Sequence, residues 1–214
     1  MARPQTDIEA TRHRLLEVVD DLVRQRGSAD ISMTDLAAAA GMSPSNLYRF
    51  FENKEALLEA VAEKWFAEKI RIMEEVTASD LPVREKMYQY FARRFALMVQ
   101  QYEAEPDLLK SYLEIGNQYF EVVRGYVDLG DHYLAVIVAD AMGEGYFQGL
   151  SIDEAVSLIN QMTQCYTNPE AIIYIGTVKL KEAKLARIVD TIFAGLGKSF
   201  QAQTVSVPHI KIVS

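Results

Sequence analysis

The chain has little of what metal sites and disulfide frameworks need. It contains one cysteine, Cys165, so no disulfide can form within the chain, and only three histidines among 214 residues. His13, His132 and His209 are scattered and form no metal-binding pattern. We therefore expect no metal and no cofactor, and we expect the lone thiol to be a small buried side chain.

Long apolar segments and an excess of positive charge are also missing. No stretch approaches the roughly 20 apolar residues that cross a bilayer, and the N-terminus has no apolar segment of the signal-peptide type. The net charge is -8, which argues against a protein that coats nucleic acid nonspecifically but does not exclude a small DNA-binding face. With 50% hydrophobic residues, the sequence predicts a cytoplasmic protein with a sizeable core and no membrane contact.

Apolar residues recur at helical spacing along most of the chain. The pattern predicts helices over about 7–26, 33–40, 44–50, 54–76, 87–102, 107–147 (one or two helices, with a flexible point at Gly116 or Gly130), 151–166 and 179–196. The run "AIIYIGTV" at 171–178 is rich in β-formers, but no second run could pair with it. The predicted fold class is all-α, and "TVSVPHIKIVS" at the end is predicted to be a loose tail or an extended arm.

Residues 32–47 have the features of a helix-turn-helix. Ser32 and Asp35 match a capping box that would start one helix. Two closely crossing helices need a small residue at the crossing, a residue free to adopt positive φ in the turn, and an apolar anchor on the second helix. Ala37, Gly41 and Leu47 occupy those three places.

The outward end of the second helix is polar, with Ser43, Pro44, Ser45, Asn46, Tyr48 and Arg49. Short polar side chains and one tyrosine suit the major groove, where hydroxyls meet phosphates and side chains reach base edges. The alternative is a plain helical hairpin inside a bundle. Tyr48 and Arg49, which look exposed and lie close to Lys54, favour a DNA-binding face.

Residues 8–66 resemble the N-terminal domain of the TetR family of bacterial transcriptional regulators. The resemblance is carried by Leu15-Leu16, Gly27, "LAAAAGMSPSNLYRFFENKEALLEAV" and Trp65-Phe66. It implies a homodimer with three DNA-binding helices per subunit, a fourth linking helix, and a helical domain that dimerises and encloses an inducer. The predicted domains are 1–53 for DNA binding, 54–197 for ligand binding and dimerisation with a linking helix at 54–76, and a tail at 198–214.

The resemblance also implies DNA contacts by Ser32, Thr34, Ser43, Pro44, Ser45, Asn46, Tyr48, Arg49 and Lys54. Ser32, Thr34 and Lys54 would touch phosphate. Ser43, Ser45 and Asn46 would lie in the groove. Tyr48 would contact the backbone or a thymine methyl. Many family members have His where this chain has Phe50, so one expected phosphate contact is missing, and Arg49 is the candidate to supply that charge.

Aromatic and methionine side chains are concentrated between residues 87 and 123. Such side chains line pockets for apolar or aromatic molecules, although ordinary core packing is the alternative for each of them. The candidate ligand-binding residues are Tyr88, Phe91, Phe95, Met98, Tyr112, Tyr119 and Phe120. Arg94, Glu114 and Gln118 are candidate polar partners of the ligand.

The apolar stripes at 152–163 and 185–196 predict a two-fold interface of four helices, unless they complete the core of one subunit. The predicted function is a repressor that binds a near-palindromic double-stranded operator as a dimer and is released by a small apolar or aromatic inducer. A helical enzyme or carrier is one alternative, but the sequence has no converging acid, base or metal groups. A protein-interaction module is another, but it needs an apolar face on residues 43–49, which are polar.

Overall fold

The computed structural model describes residues 5–27, 30–176 and 179–196, which form helices joined by turns and contain no strand. The helices are α1 (Gln5–Arg26), α2 (Met33–Ala39), α3 (Pro44–Leu47), α4 (Lys54–Thr77), α5 (Val83–Ala104), α6 (Pro106–Gln118), α7 (Phe120–Gly143), α8 (Ile152–Thr167), α9 (Pro169–Ile175) and α10 (Glu182–Gly195). The predicted all-α class is confirmed. The predicted tail at 198–214 lies outside the described residues.

Two apolar cores hold these helices together. The smaller core joins α1, α2, α3 and the start of α4, and Leu36, Leu47 and Phe51 are completely buried in it. The larger core joins the end of α4 to α5, α7, α8, α9 and α10, with Phe91 and Ile159 completely buried. Because α4 contributes side chains to both cores, it connects the N-terminal helices to the rest of the chain.

The start of α2 and the turn after it follow from local sequence. Ser32 accepts a hydrogen bond from the Asp35 N–H at 3.1 Å, and the Asp35 carboxylate accepts from the Ser32 N–H at 3.2 Å, which confirms the predicted capping box. Gly41 has φ of +64°, a conformation that glycine adopts without steric cost. Together they fix where α2 begins and how sharply the chain turns into α3.

Residues 171–175, which begin the run rich in β-formers, belong to a helix, α9. Pro169 occupies the first turn, the Asn168 side chain accepts from the Glu170 N–H at 2.9 Å, and Ile172 is completely buried. Capping and burial therefore outweigh the weaker preference of Ile and Tyr for strands.

The segment 107–147 forms two helices, one of the two predicted alternatives, but they meet at Tyr119, and Gly116 and Gly130 both lie inside helices. Cys165 is exposed rather than buried, because its neighbours on α8, Thr163 and Tyr166, take the inward positions. None of the described helices has the length and apolar content to span a membrane.

Candidate DNA interface and ligand cavity

The predicted groove residues share one outer surface at α3. Ser43 caps this helix by accepting from the Asn46 N–H at 3.3 Å, while Leu47 faces the core. Tyr48 is 50% exposed, and Ser43, Pro44, Ser45 and Arg49 are also exposed. The outer surface therefore combines hydroxyls, an amide, a phenol and a guanidinium.

The predicted phosphate contacts at α2 lie beside an ion pair. Arg26 donates to the Asp35 carboxylate at 2.6 Å, and this bond, followed by those from Ser32, holds the pKa of Asp35 well below its usual range. Asp35 is thus a carboxylate that fixes the start of α2. Ser32 and Thr34 remain on the exposed side of that helix.

Lys54, at the first position of α4, lies between the two candidate sites. Its Nζ is 3.8 Å from Asp30 Oδ1 and 5.4 Å from the centroid of the Tyr119 ring. The interaction with the Tyr119 side chain is the main cause of the raised pKa of Lys54. The ammonium is therefore charged and sits between the N-terminal helices and the break between α6 and α7.

A cavity of about 640 Å³ lies among α4, α5, α6, α7 and α8, a volume within the usual range for small-molecule sites. Four of the predicted ligand residues line it, namely Met98, Tyr112, Tyr119 and Phe120. Arg94 lines it as well, and its guanidinium lies 4.8 Å from the centroid of the Tyr90 ring.

The other predicted ligand residues do not line this cavity. Phe91 is completely buried in the larger core. Phe95 packs edge-on against Tyr166, with ring centroids 5.1 Å apart, and borders a separate groove. Tyr88 lies against the same core from outside, with the Arg84 guanidinium 6.0 Å from its ring. Phe91, Phe95 and Tyr88 therefore pack in or against the larger core, which was the alternative interpretation of these side chains.

Several cavity residues were not predicted from the sequence. On α4, Trp65 stacks on Tyr112 with ring centroids 4.7 Å apart, and Phe66 stacks on Tyr126 at the same distance. Lys69 follows on the same helical face, and only 8% of this residue is exposed. The sequence does contain a signal for this wall. Lys69 follows Phe66 by three residues and Trp65 by four, so the three side chains share one face of α4 within an apolar stripe.

Tyr112 also connects the cavity to α1. Its hydroxyl donates to the Asp20 carboxylate, and burial together with this bond raises the pKa of Tyr112. Lys64 on α4 donates to the same carboxylate at 2.9 Å. Arg24 on α1 pairs with Glu105, just before α6. Polar bonds from α1 thus meet both α4 and α6 next to the cavity wall.

No group of three or more His, Cys, Asp or Glu side chains among the described residues could hold a metal ion. The fold combines a capped helix-turn-helix that has a polar outer surface with a helical domain that encloses a cavity, and one long helix joins the two. This architecture is that of a DNA-binding transcriptional regulator.

Comparison with known proteins identifies the family. Residues 15–61 match the family described as "Bacterial regulatory proteins, tetR family", and residues 83–189, half of the chain, match "Tetracyclin repressor-like, C-terminal domain". The chain therefore belongs to the TetR family of transcriptional regulators.

Among relatives, the fatty acid metabolism regulator protein of Bacillus subtilis is 22% identical over 130 residues, which cover 58% of this chain and 67% of the relative. The helix-turn-helix regulator YvaF of the same organism is 38% identical over 77 residues, covering 36% and 40% of the two chains. FadR from Thermus thermophilus, solved with lauroyl-CoA, has a similar fold, with a TM-score of 0.58, 17% identity and coverage of 92% and 99%.

Proposed function

We propose that this chain is a ligand-responsive repressor that binds a near-palindromic operator as a homodimer and is released when a small molecule with an apolar body fills the cavity. Residues 1–53 form the DNA-binding domain in this proposal, and residues 54–197 form the ligand-binding and dimerisation domain. The observation that carries it is Tyr112, which lines the cavity and bonds to Asp20 of α1. A ligand that moves this ring changes how α1 is held.

DNA binding rests on the outer surface of α3. Asn46, Ser45 and Tyr48 reach the bases or their methyl groups, while Lys54 and Arg49 hold phosphates. A ligand alters operator affinity only if it contacts the DNA-competent and released arrangements differently. Tyr119 supports such a difference because it lines the cavity and contacts Lys54.

Most of the predicted stripes at 152–163 and 185–196 complete the core of the subunit, since Ile159 and Ile192 are fully buried, so the proposed dimerisation rests on side chains of α8 that stay exposed. Ile152, Leu158 and Met162 are each 39 to 43% exposed, whereas Ile159 on the same helix is fully buried in the core of the subunit. A second copy related by two-fold symmetry would cover the exposed side chains with its own α8. The two recognition helices of such a dimer would meet two half-sites of the operator.

The ligand class follows from the cavity and from the relatives. The cavity offers aromatic and aliphatic walls, which suit an apolar or aromatic body. FadR from Bacillus subtilis was solved with stearoyl-CoA and FadR from Thermus thermophilus with lauroyl-CoA. Long-chain acyl-CoA is therefore the first ligand to test, followed by aromatic compounds.

The test is a mobility-shift assay with the DNA upstream of the protein's own gene. Wild-type protein should form a specific complex that lauroyl-CoA or another cavity ligand dissociates. Tyr48→Ala should weaken the complex, whereas Tyr174→Ala, a matched change at an 83% exposed residue of α9, should not. Equal DNA affinity for both variants would contradict the assigned surface, and a bound ligand that leaves the complex intact would contradict the inducer role.

A further inference from the structure

Lys69 is a buried lysine on the cavity wall. Only 8% of the residue is exposed, and its Nζ makes no hydrogen bond to any residue that the structure describes. The nearest groups around the ammonium are the faces of Trp65 and Phe66, whose ring centroids lie 4.1 and 5.1 Å from Nζ. Aromatic faces attract a cation but do not replace the hydrogen bonds that water would give it. The unsatisfied ammonium lines the cavity.

Arg94 adds a second cation to the same wall. Its guanidinium lies 4.8 Å from the centroid of the Tyr90 ring and forms no ion pair with a described carboxylate, and the residue is partly buried. Burial, and then repulsion from Arg94, lower the pKa of Lys69 to about 7. Two unpaired cations close enough to repel each other would both gain from an anion between them.

The carboxylates that line the cavity belong to residues on its exposed side. Asp131 accepts from the Asn160 amide at 2.8 Å, and Glu170 accepts from the Asn117 amide at 3.5 Å. Both residues are exposed, and neither forms an ion pair with Lys69 or Arg94 among the described residues. Burial raises the pKa of Tyr90, whose ring lies under Arg94, and the Asp131 carboxylate is near enough to raise it further. Among the described residues, however, neither Lys69 nor Arg94 has a direct ion-pair partner.

We infer that Lys69 and Arg94 bind an anionic group, a carboxylate in the simplest case, at one end of an otherwise apolar ligand in the cavity. The inference rests on the proposed function, because it concerns the ligand of the same site. A neutral ligand would add to the burial of Lys69, favour loss of its proton and leave Arg94 unpaired, whereas an anion would keep the ammonium charged and pair with both side chains. A carboxylate accepts from the lysine ammonium and the arginine guanidinium at once, and it leaves the apolar chain against Trp65 and Phe66.

The experiment compares ligands that share a ten-carbon chain and differ in their head group. Decanoate, 1-decanol and decanoyl-CoA are titrated into the full-length protein, and binding is followed by the fluorescence of Trp65, the one tryptophan of the chain and a cavity residue. Wild-type protein should bind decanoate at least tenfold more tightly than 1-decanol. Lys69→Gln should bring the ratio of the two affinities close to one, and Arg94→Gln should reduce it.

Two controls keep the result specific. Lys110→Gln removes an exposed lysine that pairs with Asp107 outside the cavity and should keep the wild-type ratio. Lys69→Met provides a second neutral side chain suited to an apolar wall, should Lys69→Gln fold poorly. It should bind 1-decanol at least as well as wild type while losing the preference for decanoate.

Decanoyl-CoA separates two sources of negative charge. If it binds, decanoate does not, and Lys69→Gln weakens its binding, the anion is a phosphate of the headgroup and the inference of an anionic ligand stands. Equal binding of decanoate and 1-decanol, an unchanged ratio in Lys69→Gln, or binding of none of the three ligands would overturn it. Operator binding is measured separately by mobility shift, so loss of the DNA complex would be a failure of the proposed function and not of this inference.

Discussion

Replacing Tyr112 with phenylalanine removes one hydroxyl and keeps the aromatic ring. The lost group is the donor to Asp20, which joins α6 to α1, whereas the ring can stay stacked on Trp65. Asp20 is 8% exposed, so water replaces the lost donor poorly. Tyr112→Phe therefore tests the connection between the cavity and the N-terminal helices.

The expected cost follows from the type of bond. A hydrogen bond to a charged acceptor contributes about 1.5 to 3 kcal/mol. Asp20 keeps its bond from Lys64 at 2.9 Å, so its carboxylate is not left unpaired and the low end applies. We expect Tyr112→Phe to lower the free energy of unfolding by about 1.5 kcal/mol. Urea denaturation at one fixed protein concentration, followed by the fluorescence of Trp65, measures the change.

Tyr133→Phe is the matched control. Its hydroxyl donates to the exposed Glu74 at 3.1 Å, and this bond does not involve the N-terminal helices, so the variant should lose less than about 0.5 kcal/mol. If the bond to Asp20 transmits ligand binding, Tyr112→Phe should also reduce the effect of ligand on operator affinity by up to about tenfold. The reasoning is refuted if Tyr112→Phe loses no more free energy of unfolding than Tyr133→Phe and its operator affinity still responds to ligand as the wild type does.

Four further predictions concern charge, base contacts, pH and assembly. Lys54→Ala should weaken binding to every DNA sequence and lower the salt slope by about one unit in affinity titrations at increasing salt. Asn46→Ala should cost about 1 to 3 kcal/mol at the operator, with little loss on unrelated DNA in the same titrations. Folding lowers the pKa of Lys69 from 10.5 to about 7. Between pH 7 and 10.5 the unfolded chain therefore holds a proton on Lys69 that the folded chain has lost. The free energy of unfolding of the wild type should rise with pH in this range by up to about 1.4 kcal/mol per pH unit. Lys69→Met should lack this rise and be the more stable protein below pH 7, as urea denaturation at several pH values can check. Leu158→Lys should shift the dimer towards monomer in light scattering, and a wild-type monomer at micromolar concentration would contradict the proposed assembly.

The N-terminal helices could be predicted from sequence because short-range chemistry fixes them. Capping by Ser32 and Asp35, positive φ at Gly41 and burial of Leu47 each depend on a few neighbouring residues, and the structure has all three. Elements that depend on tertiary packing were harder to predict. The helix at 169–175 has local caps at Asn168 and Pro169, but it also depends on the burial of Ile172, which its own segment does not reveal.

The cavity was only partly predictable, because α5 buries two adjacent stripes. Tyr90, Arg94 and Met98 recur every four residues and line the cavity, whereas Phe91 and Phe95, one position further on, point into the core or the neighbouring groove. Successive residues are about 100° apart around a helix axis, so the two stripes form adjacent faces of α5, and both faces are covered by other helices. Each stripe contains an aromatic residue that suits either a core or a pocket, and the positions of α4 and α7 decide which stripe borders open space.

Two contacts between cavity residues and the N-terminal part of the chain, Tyr119 with Lys54 and Tyr112 with Asp20, differ in strength, and in the proposed mechanism this difference would decide how a ligand acts. Lys54 over the Tyr119 ring is about one-third exposed, so its cation–π contact contributes about 0.5 to 1 kcal/mol, a two- to fivefold change in affinity. The bond from Tyr112 to Asp20 contributes more because its acceptor is charged and shielded from water. A ligand that disturbs both contacts would change operator affinity by an amount within the usual range of allosteric coupling, about 1 to 3 kcal/mol. In the proposed mechanism, displacing Tyr119 alone frees the Lys54 ammonium, whereas displacing Tyr112 loosens α1 itself. We therefore expect the position of α6, which carries Tyr112, to affect the response more strongly than the charge at the start of α4.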